Sequence, residues 1–314
     1  MPSKRQGSIH LFRLKGIDVF LHWSWFLIAA YEIESRKRQY SSVFWNILEY
    51  LALFLIVLTH EFGHALACRQ VGGTANRIML WPLGGVAFVD PPQRPGATLW
   101  SIAAGPLVNV ALFLPLRAAV LMSRTHGWPQ SMHDLTMFVY SVFWINLGLL
   151  IFNILPFYPL DGGQILRSLL WFPLGRARSL MVATVLGFVG VAAFIGLAVL
   201  QHSLWTGAIA LFMLWICWSG LRQAWVLLRF EKLPRRNGFR CPNCHTKPLL
   251  GERWRCDLCG QPFDTFQTQG VCPHCSKHFP QTMCGDCGKF YSMNEWADGK
   301  VAGMGIINGG ISPK

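Results

Sequence analysis

Residues His60-Glu61-Phe62-Gly63-His64 form an H-E-x-x-H pattern near the end of a long apolar run that begins around Val43. On a helix, positions i and i+4 share a face, so His60 and His64 can hold one zinc ion together. Glu61 stands beside them, where a zinc-activated water could meet a general base. The chemistry this implies is metal-assisted hydrolysis. Ionisable side chains are costly in bilayer hydrocarbon, so His, Glu and His together in such a run demand a functional reason.

A hydrolytic zinc usually has three protein ligands and one open position. The third ligand should be an Asp, Glu, His or Cys in the membrane, near the same face. Asp161, in the segment NILPFYPLDGG at 153–163, is the best candidate. Pro156 and Pro159 hold this segment out of regular helix. It follows the fourth apolar span, and an even number of crossings returns it to the side on which the second span ends.

Composition agrees with a membrane setting. Of 314 residues, 52% are hydrophobic and only 14% charged. A soluble domain carries about 25% charged residues, so this balance points to lipid solvation. The net charge of +13 sits at connectors and chain ends. It reads as topology and anionic-lipid contact before nucleic-acid binding. The start, MPSKRQGSIHLFRLKG, is polar and basic, and no cleavable signal peptide is expected.

Hydropathy predicts spans at roughly 17–33, 43–68, 97–122, 135–156, 180–201 and 203–229. The third is expected to be interrupted at Gly105-Pro106. Basic residues cluster at the amino terminus (Lys4, Arg5, Arg13, Lys15), in the 2–3 connector (Arg69, Arg77, Arg94), in the 4–5 connector (Arg167, Arg176, Arg178) and after the sixth span (Arg229, Lys232, Arg235, Arg236). Six spans with both termini cytoplasmic, in the cell's inner membrane, fit this bias, although Arg36-Lys37-Arg38 in the 1–2 connector breaks it. Residues 78–92 are apolar but too short to span. Pro82 and Gly84-Gly85 break a helix and Val86–Val89 has strand character, so a re-entrant loop or hairpin is expected. The fold class is therefore an all-α polytopic membrane protein of about six helices with a re-entrant loop or β element, followed by a small zinc-ribbon domain.

The pairing of HEFGH with N-x-x-P-x-x-x-x-D-G resembles the site-2 protease family of intramembrane zinc metalloproteases. AGPLVN at 104–109 is similar to that family's G-x-x-x-N stretch, and the Gly84-Gly85 loop lies where the family has a re-entrant β element. The resemblance covers roughly 17–229. It implies zinc held by His60, His64 and Asp161, with Glu61 activating water. It also implies that Asn153 and Asn109 lie beside the substrate, polarising or orienting the scissile peptide. A transmembrane substrate must unwind before cleavage, and the strand-like edge at 86–89 could pair with it. Proline at Val86 or Phe88 is then expected to impair cleavage. Asn146 and His22 read as packing residues, and Cys68 and Cys217 as core filling.

Eight of the ten cysteines form four C-x-x-C pairs: Cys241/Cys244, Cys256/Cys259, Cys272/Cys275 and Cys284/Cys287. Two pairs make one tetrahedral four-cysteine site, so the arithmetic gives two structural zinc ions. The simplest pairing is sequential, with one ribbon at 241–259 and the second at 272–287. Disulfides are disfavoured in a cytoplasmic module. The domain reading is a metalloprotease at 1–232, a double zinc ribbon at 239–288 and a flexible tail at 289–314, with Trp296 as a docking point. The expected partners are a membrane-protein substrate, the bilayer and a cytoplasmic protein bound by the ribbons. A zinc transporter or sensor, or a catalytically silent membrane adaptor, is the alternative. A transporter should carry polar ligands across the membrane, whereas these cluster at one depth.

Overall fold

A computed structural model describes residues 7–35, 39–81, 84–128 and 132–296. Arg36-Lys37-Arg38, Pro82 and the Gly-rich stretch after Trp296 lie outside the described residues. The chain divides into two units, Met1–Leu227 and Leu228–Lys314.

The first unit opens with strands β1 (Ser8–Leu14) and β2 (Ile17–His22), then helices α1 (Ser24–Ser35) and α2 (Val43–Gln70). A hairpin of β3 (Thr74–Trp81) and β4 (Gly84–Asp90) follows, then α3 (Pro95–Thr125), α4 (His133–Ile154), α5 (Asp161–Leu200) and α6 (Leu204–Glu231). Helices α2 to α6 are each long and apolar enough to cross a membrane. Leu51, Leu55, Leu114, Ile151 and Val199 are exposed on them, as lipid-facing side chains should be.

The fold is mostly helical, and the expected β element is larger than the loop at 78–92, a four-stranded sheet in the order β1-β2-β3-β4. β2 runs parallel to β3, and the outer pairs are antiparallel. The predicted first span, 17–33, is a strand followed by a short helix. Ile17, Val19 and Leu21 alternate, and all three are buried against Val57, Leu58, Ala65 and Cys68 of α2. Mean hydropathy cannot separate a half-buried strand from a helix, but the two-residue period can. Six strand residues at ~3.3 Å and twelve helical residues at ~1.5 Å reach at most about 38 Å, so 17–35 still has the length of a crossing.

The predicted element at 78–92 is a true hairpin that starts earlier, at Thr74. α3 runs unbroken through Gly105-Pro106, contrary to the expected interruption. α5 bends where Gly175 takes φ 80° and ψ 174°, just after Pro173. The bend separates the turn carrying Asp161 from the long apolar stretch behind it.

In the second unit the four C-x-x-C pairs adopt one local form. The first cysteine's N–H donates to a carbonyl five residues on, and its own carbonyl accepts from the residue four on (2.8–3.0 Å). That residue, His245, Gly260, Ser276 or Gly288, takes positive φ in every case. The sequential pairing is overturned. Cys241 and Cys244 converge with Cys284 and Cys287, and Cys256 and Cys259 with Cys272 and Cys275. The inner cluster is closed by the short hairpin β5 (Trp254–Arg255) and β6 (Pro262–Phe263), nested within the outer one. Asp264 fixes the nest. Its buried carboxylate accepts from the N–H groups of Phe266 (3.0 Å) and Gly251 (3.1 Å) and pairs with Arg236 (2.6 Å).

The expected flexible tail from 289 is corrected in its first part. β7 (Gln281–Met283) pairs with β8 (Phe290–Ser292), and the short helix α7 (Met293–Trp296) ends on a fully buried tryptophan. Trp296 packs edge-on against Phe266, with ring centroids 4.9 Å apart, beside the outer cysteine cluster. The domain therefore extends to at least 296. A double variant, Cys259→Ser with Cys272→Ser, tests the nested pairing by metal content. Both residues belong to the inner cluster, so the protein should lose one zinc equivalent. Sequential pairing would damage both sites and cost two.

Candidate metal centre

α2 presents His60, Glu61 and His64 as buried side chains at the point where α2, α3 and the start of α5 converge. Three ligand atoms face one another. His60 Nε2 lies 3.1 Å from His64 Nε2, and Asp161 Oδ2 lies 3.0 Å from the first and 3.4 Å from the second. Tetrahedral ligands bound at ~2.0–2.1 Å sit about 3.3 Å apart, so this triad has the spacing for one zinc. Three acceptor atoms at such range repel unless a cation or a shared proton lies among them. The donor set and the spacing both fit zinc.

The far side of each imidazole explains why the near side is available. His60 Nδ1–H donates to Asn109 Oδ1 (2.6 Å), and His64 Nδ1–H donates to the Ser101 carbonyl (2.9 Å). Each bond fixes the tautomer that leaves Nε2 free as a ligand. Asn109 is fully buried and itself held. Its Nδ2 donates to Asn146 Oδ1 (3.0 Å), and Asn146 Nδ2 donates to the Asn109 carbonyl (3.0 Å). A Cβ on Gly105 would collide with His64 and lie 2.8 Å from His60 Nε2, so α3 must present bare backbone to the histidines.

Asn109, which the resemblance implies lies beside the substrate, is hydrogen-bonded here to His60 and Asn146. Its amide is committed on both sides, behind His60, so it positions a ligand. Asn146, read as packing, is the second member of that relay. An Asn in an otherwise apolar span was the available signal. Asn153 differs from both. It ends α4 half-buried, and its side chain has no hydrogen-bond partner among the described residues. His22 stacks on Trp81 at 4.8 Å, and the buried Cys217 thiol donates to the Tyr158 carbonyl (3.1 Å), so neither joins the centre.

Glu61 lies beside the triad and points to the sheet. Its Oε2 accepts from the Ala87 N–H of β4 at 2.8 Å. β4 is an edge strand, and an N–H committed to Glu61 faces away from β3. By strand alternation the amides of Val86 and Phe88 face β3. Proline at those two positions would therefore break the hairpin. The expected probe of the edge moves to Ala87.

The two cysteine clusters fit zinc equally well. The sulfur pairs Cys241–Cys287, Cys244–Cys284, Cys256–Cys275 and Cys259–Cys272 lie 3.5–3.7 Å apart. Thiolates at ~2.3 Å from a tetrahedral zinc sit about 3.8 Å apart. The hydrogen bond between the two sulfurs pulls the Cys244 thiol down and pushes Cys284 up. Zinc binding displaces thiol protons.

The relay makes a graded prediction for the first centre. Asn109→Ala should weaken zinc binding by ~10- to 100-fold in chelator competition, the usual effect of losing such a partner. Asn146→Ala should weaken it less, and Asn153→Ala should leave it unchanged.

The sequence profile of peptidase family M50 matches residues 49–134 and 122–197, which include every first-centre ligand. A zinc metalloprotease of Methanocaldococcus jannaschii is 32% identical over 182 residues, 57% of this chain and 50% of that protein. Stage IV sporulation protein FB of Bacillus subtilis is 34% identical over 142 residues, 44% of this chain and 46% of that protein. The chain thus spans about half the length of these curated relatives. Among solved structures, the site-2 protease from Methanocaldococcus jannaschii aligns with TM-score 0.50 and 28% identity, over 68% of this chain and 95% of that one. A matching profile, zinc metalloprotease relatives, a similar fold and a converged His-His-Asp triad agree: the membrane unit is similar to peptidase family M50 and to a solved site-2 protease.

Proposed function

We propose that this chain is an intramembrane zinc metalloendopeptidase that cleaves peptide bonds in or near the transmembrane segment of a membrane-protein substrate. The observation that carries this reading is the convergence of His60, His64 and Asp161 beside Glu61 and a free strand edge. When bound, zinc supplies Lewis acidity, lowering the pKa of water to about 7 and polarising a carbonyl. His60, His64 and Asp161 would hold it, with Asn109, Asn146 and the Ser101 carbonyl fixing the imidazoles.

Glu61 takes the proton of the attacking water and passes it to the leaving amine. The water oxygen bonds to the carbonyl carbon as the C–N bond breaks. Asn153, with its amide unengaged, donates to the carbonyl oxygen as charge develops there. A helical substrate hides its peptide bonds in i to i−4 hydrogen bonds, and the β4 edge offers the unwound segment replacement partners. A single-span membrane protein fits this arrangement, with release of a cytoplasmic or membrane-embedded fragment.

Two further zincs, one in each cysteine cluster, complete the proposed metal content. The module has a small apolar core, so metal supplies much of its folding free energy. Its preferred role is to recruit or gate substrate, with a cytoplasmic protein as its partner. The basic connectors support six crossings in the inner membrane with both termini cytoplasmic, the first built from β2 and α1.

Reconstituted with a tagged single-span substrate, Glu61→Gln should retain its zinc and lose cleavage by at least ~100-fold. Zinc flux retained in that variant without cleavage by the wild type would favour transport instead. Removing 239–296, the folded extent of the module, should change substrate choice or rate. Equal cleavage of every substrate would reduce the module to a passive domain.

A further inference from the structure

The hydrogen bond between Glu61 and Ala87 has two sides. For the carboxylate, it satisfies a group that is almost wholly buried (6% exposed) and would otherwise be costly in apolar surroundings. For the strand, it occupies an edge donor in the middle of β4, where an added peptide strand would seek its own hydrogen bond. One donor cannot fully serve both acceptors. A peptide that pairs with β4 at this register must take the N–H from Glu61, and the carboxylate is then free to accept from water.

Several features show that the contact is built in. Among the described residues, β4 has a neighbour on one side only. Gly85, two residues before Ala87 and on the same strand face, has no room for a Cβ. One would collide with the Glu61 side chain at Cγ and Cδ. Ala87 and Val89 are partly buried against the core below, while Val86 (47% exposed) and Phe88 (52%) point outward. The strand face towards α2 is thus pared to small residues where Glu61 lies, and the amide above meets its carboxylate.

We propose that the Ala87 amide is a positioning group for Glu61. It holds the carboxylate in the peptide-free protein and hands its hydrogen bond to a backbone carbonyl when an extended peptide adds to β4. The base is released where a strand has docked, which ties water activation to an unwound substrate. The exchange substitutes one acceptor for another on the same donor, so docking need not pay for an orphaned amide. This rests on the protease reading above and adds the coupling between substrate conformation and the base.

The test is amide hydrogen exchange resolved at Ala87 in the full-length, zinc-loaded protein, with an extended peptide hydroxamate as probe. Without peptide, Glu61→Ala should speed exchange at Ala87 by about fivefold to tenfold relative to wild type, the worth of one hydrogen bond. Adding the peptide hydroxamate should protect Ala87 in both proteins. Kinetics give a second readout. Ala87→Pro deletes the donor at an edge position where the fold tolerates proline. It should raise KM about tenfold and leave kcat within about twofold.

Equal exchange in wild type and Glu61→Ala overturns the holding contact, and absent protection by peptide overturns the handover. A fall in kcat at unchanged KM in Ala87→Pro also overturns it, since the amide would then orient the base during turnover. If Ala87→Pro does not fold, the exchange result decides alone. Cleavage surviving Glu61→Gln would sink the protease reading itself, a result separate from every exchange outcome.

Discussion

Everything in the membrane unit follows from the cost of keeping two imidazoles and two carboxylates where water is scarce. Each needs a partner, and each has one. Asn109 takes His60, the Ser101 carbonyl takes His64, the two Nε2 atoms face Asp161, and Ala87 takes Glu61. α3 is the element under the heaviest constraint. It supplies the Ser101 carbonyl and Asn109, and it comes so close to the histidines that only glycine fits at 105. The candidate metal centre is thus a hydrogen-bond network first. The three facing ligand atoms are what remains after the other lone pairs and protons have been assigned.

The sheet belongs to the same network. Its inner face packs against α2, the helix that carries the motif, and its last strand brings an amide to the one carboxylate the triad does not use. Irregular backbone and sheet edges are tolerated at membrane depth where protein buries them or a cavity receives them. Here the edge lies beside His60, Glu61 and His64, with the Ala87 N–H meeting the Glu61 carboxylate. The β2–β3 parallel pairing links the start of the chain to this arrangement.

The second unit solves the opposite problem. It has little apolar core, and most of what it has gathers around sulfur: Trp296, Phe266 and Phe239 around the outer cluster, and Phe263 and Phe279 around the inner. Nesting places the inner cluster, Cys256 to Cys275, within the stretch of chain that the outer cluster closes between Cys244 and Cys284.

The sequence alone pointed to the chemistry. Two histidines one helical turn apart, a glutamate between them and an aspartate on a proline-broken segment name a candidate ligand set and a candidate base by residue type and spacing. The five apolar helices follow from length and hydropathy, and four cysteine pairs specify two four-sulfur sites. It did not determine partners that lie far apart in the chain. Asn109 and Asn153 look alike as polar residues near apolar spans, yet one is locked behind His60 and the other is unengaged. Ile17 to His22 looks like membrane helix by mean hydropathy, and only the short alternation of Ile17, Val19 and Leu21 hints at the strand that pairs with β3. The choice between nested and sequential cysteines is a choice of how the loop between 259 and 272 turns, which Asp264 makes through contacts with Arg236 and Gly251. Ligand identity is a property of side chains. Orientation, satisfaction and which strand edge stays open depend on what packs behind them, and those only the tertiary structure decided.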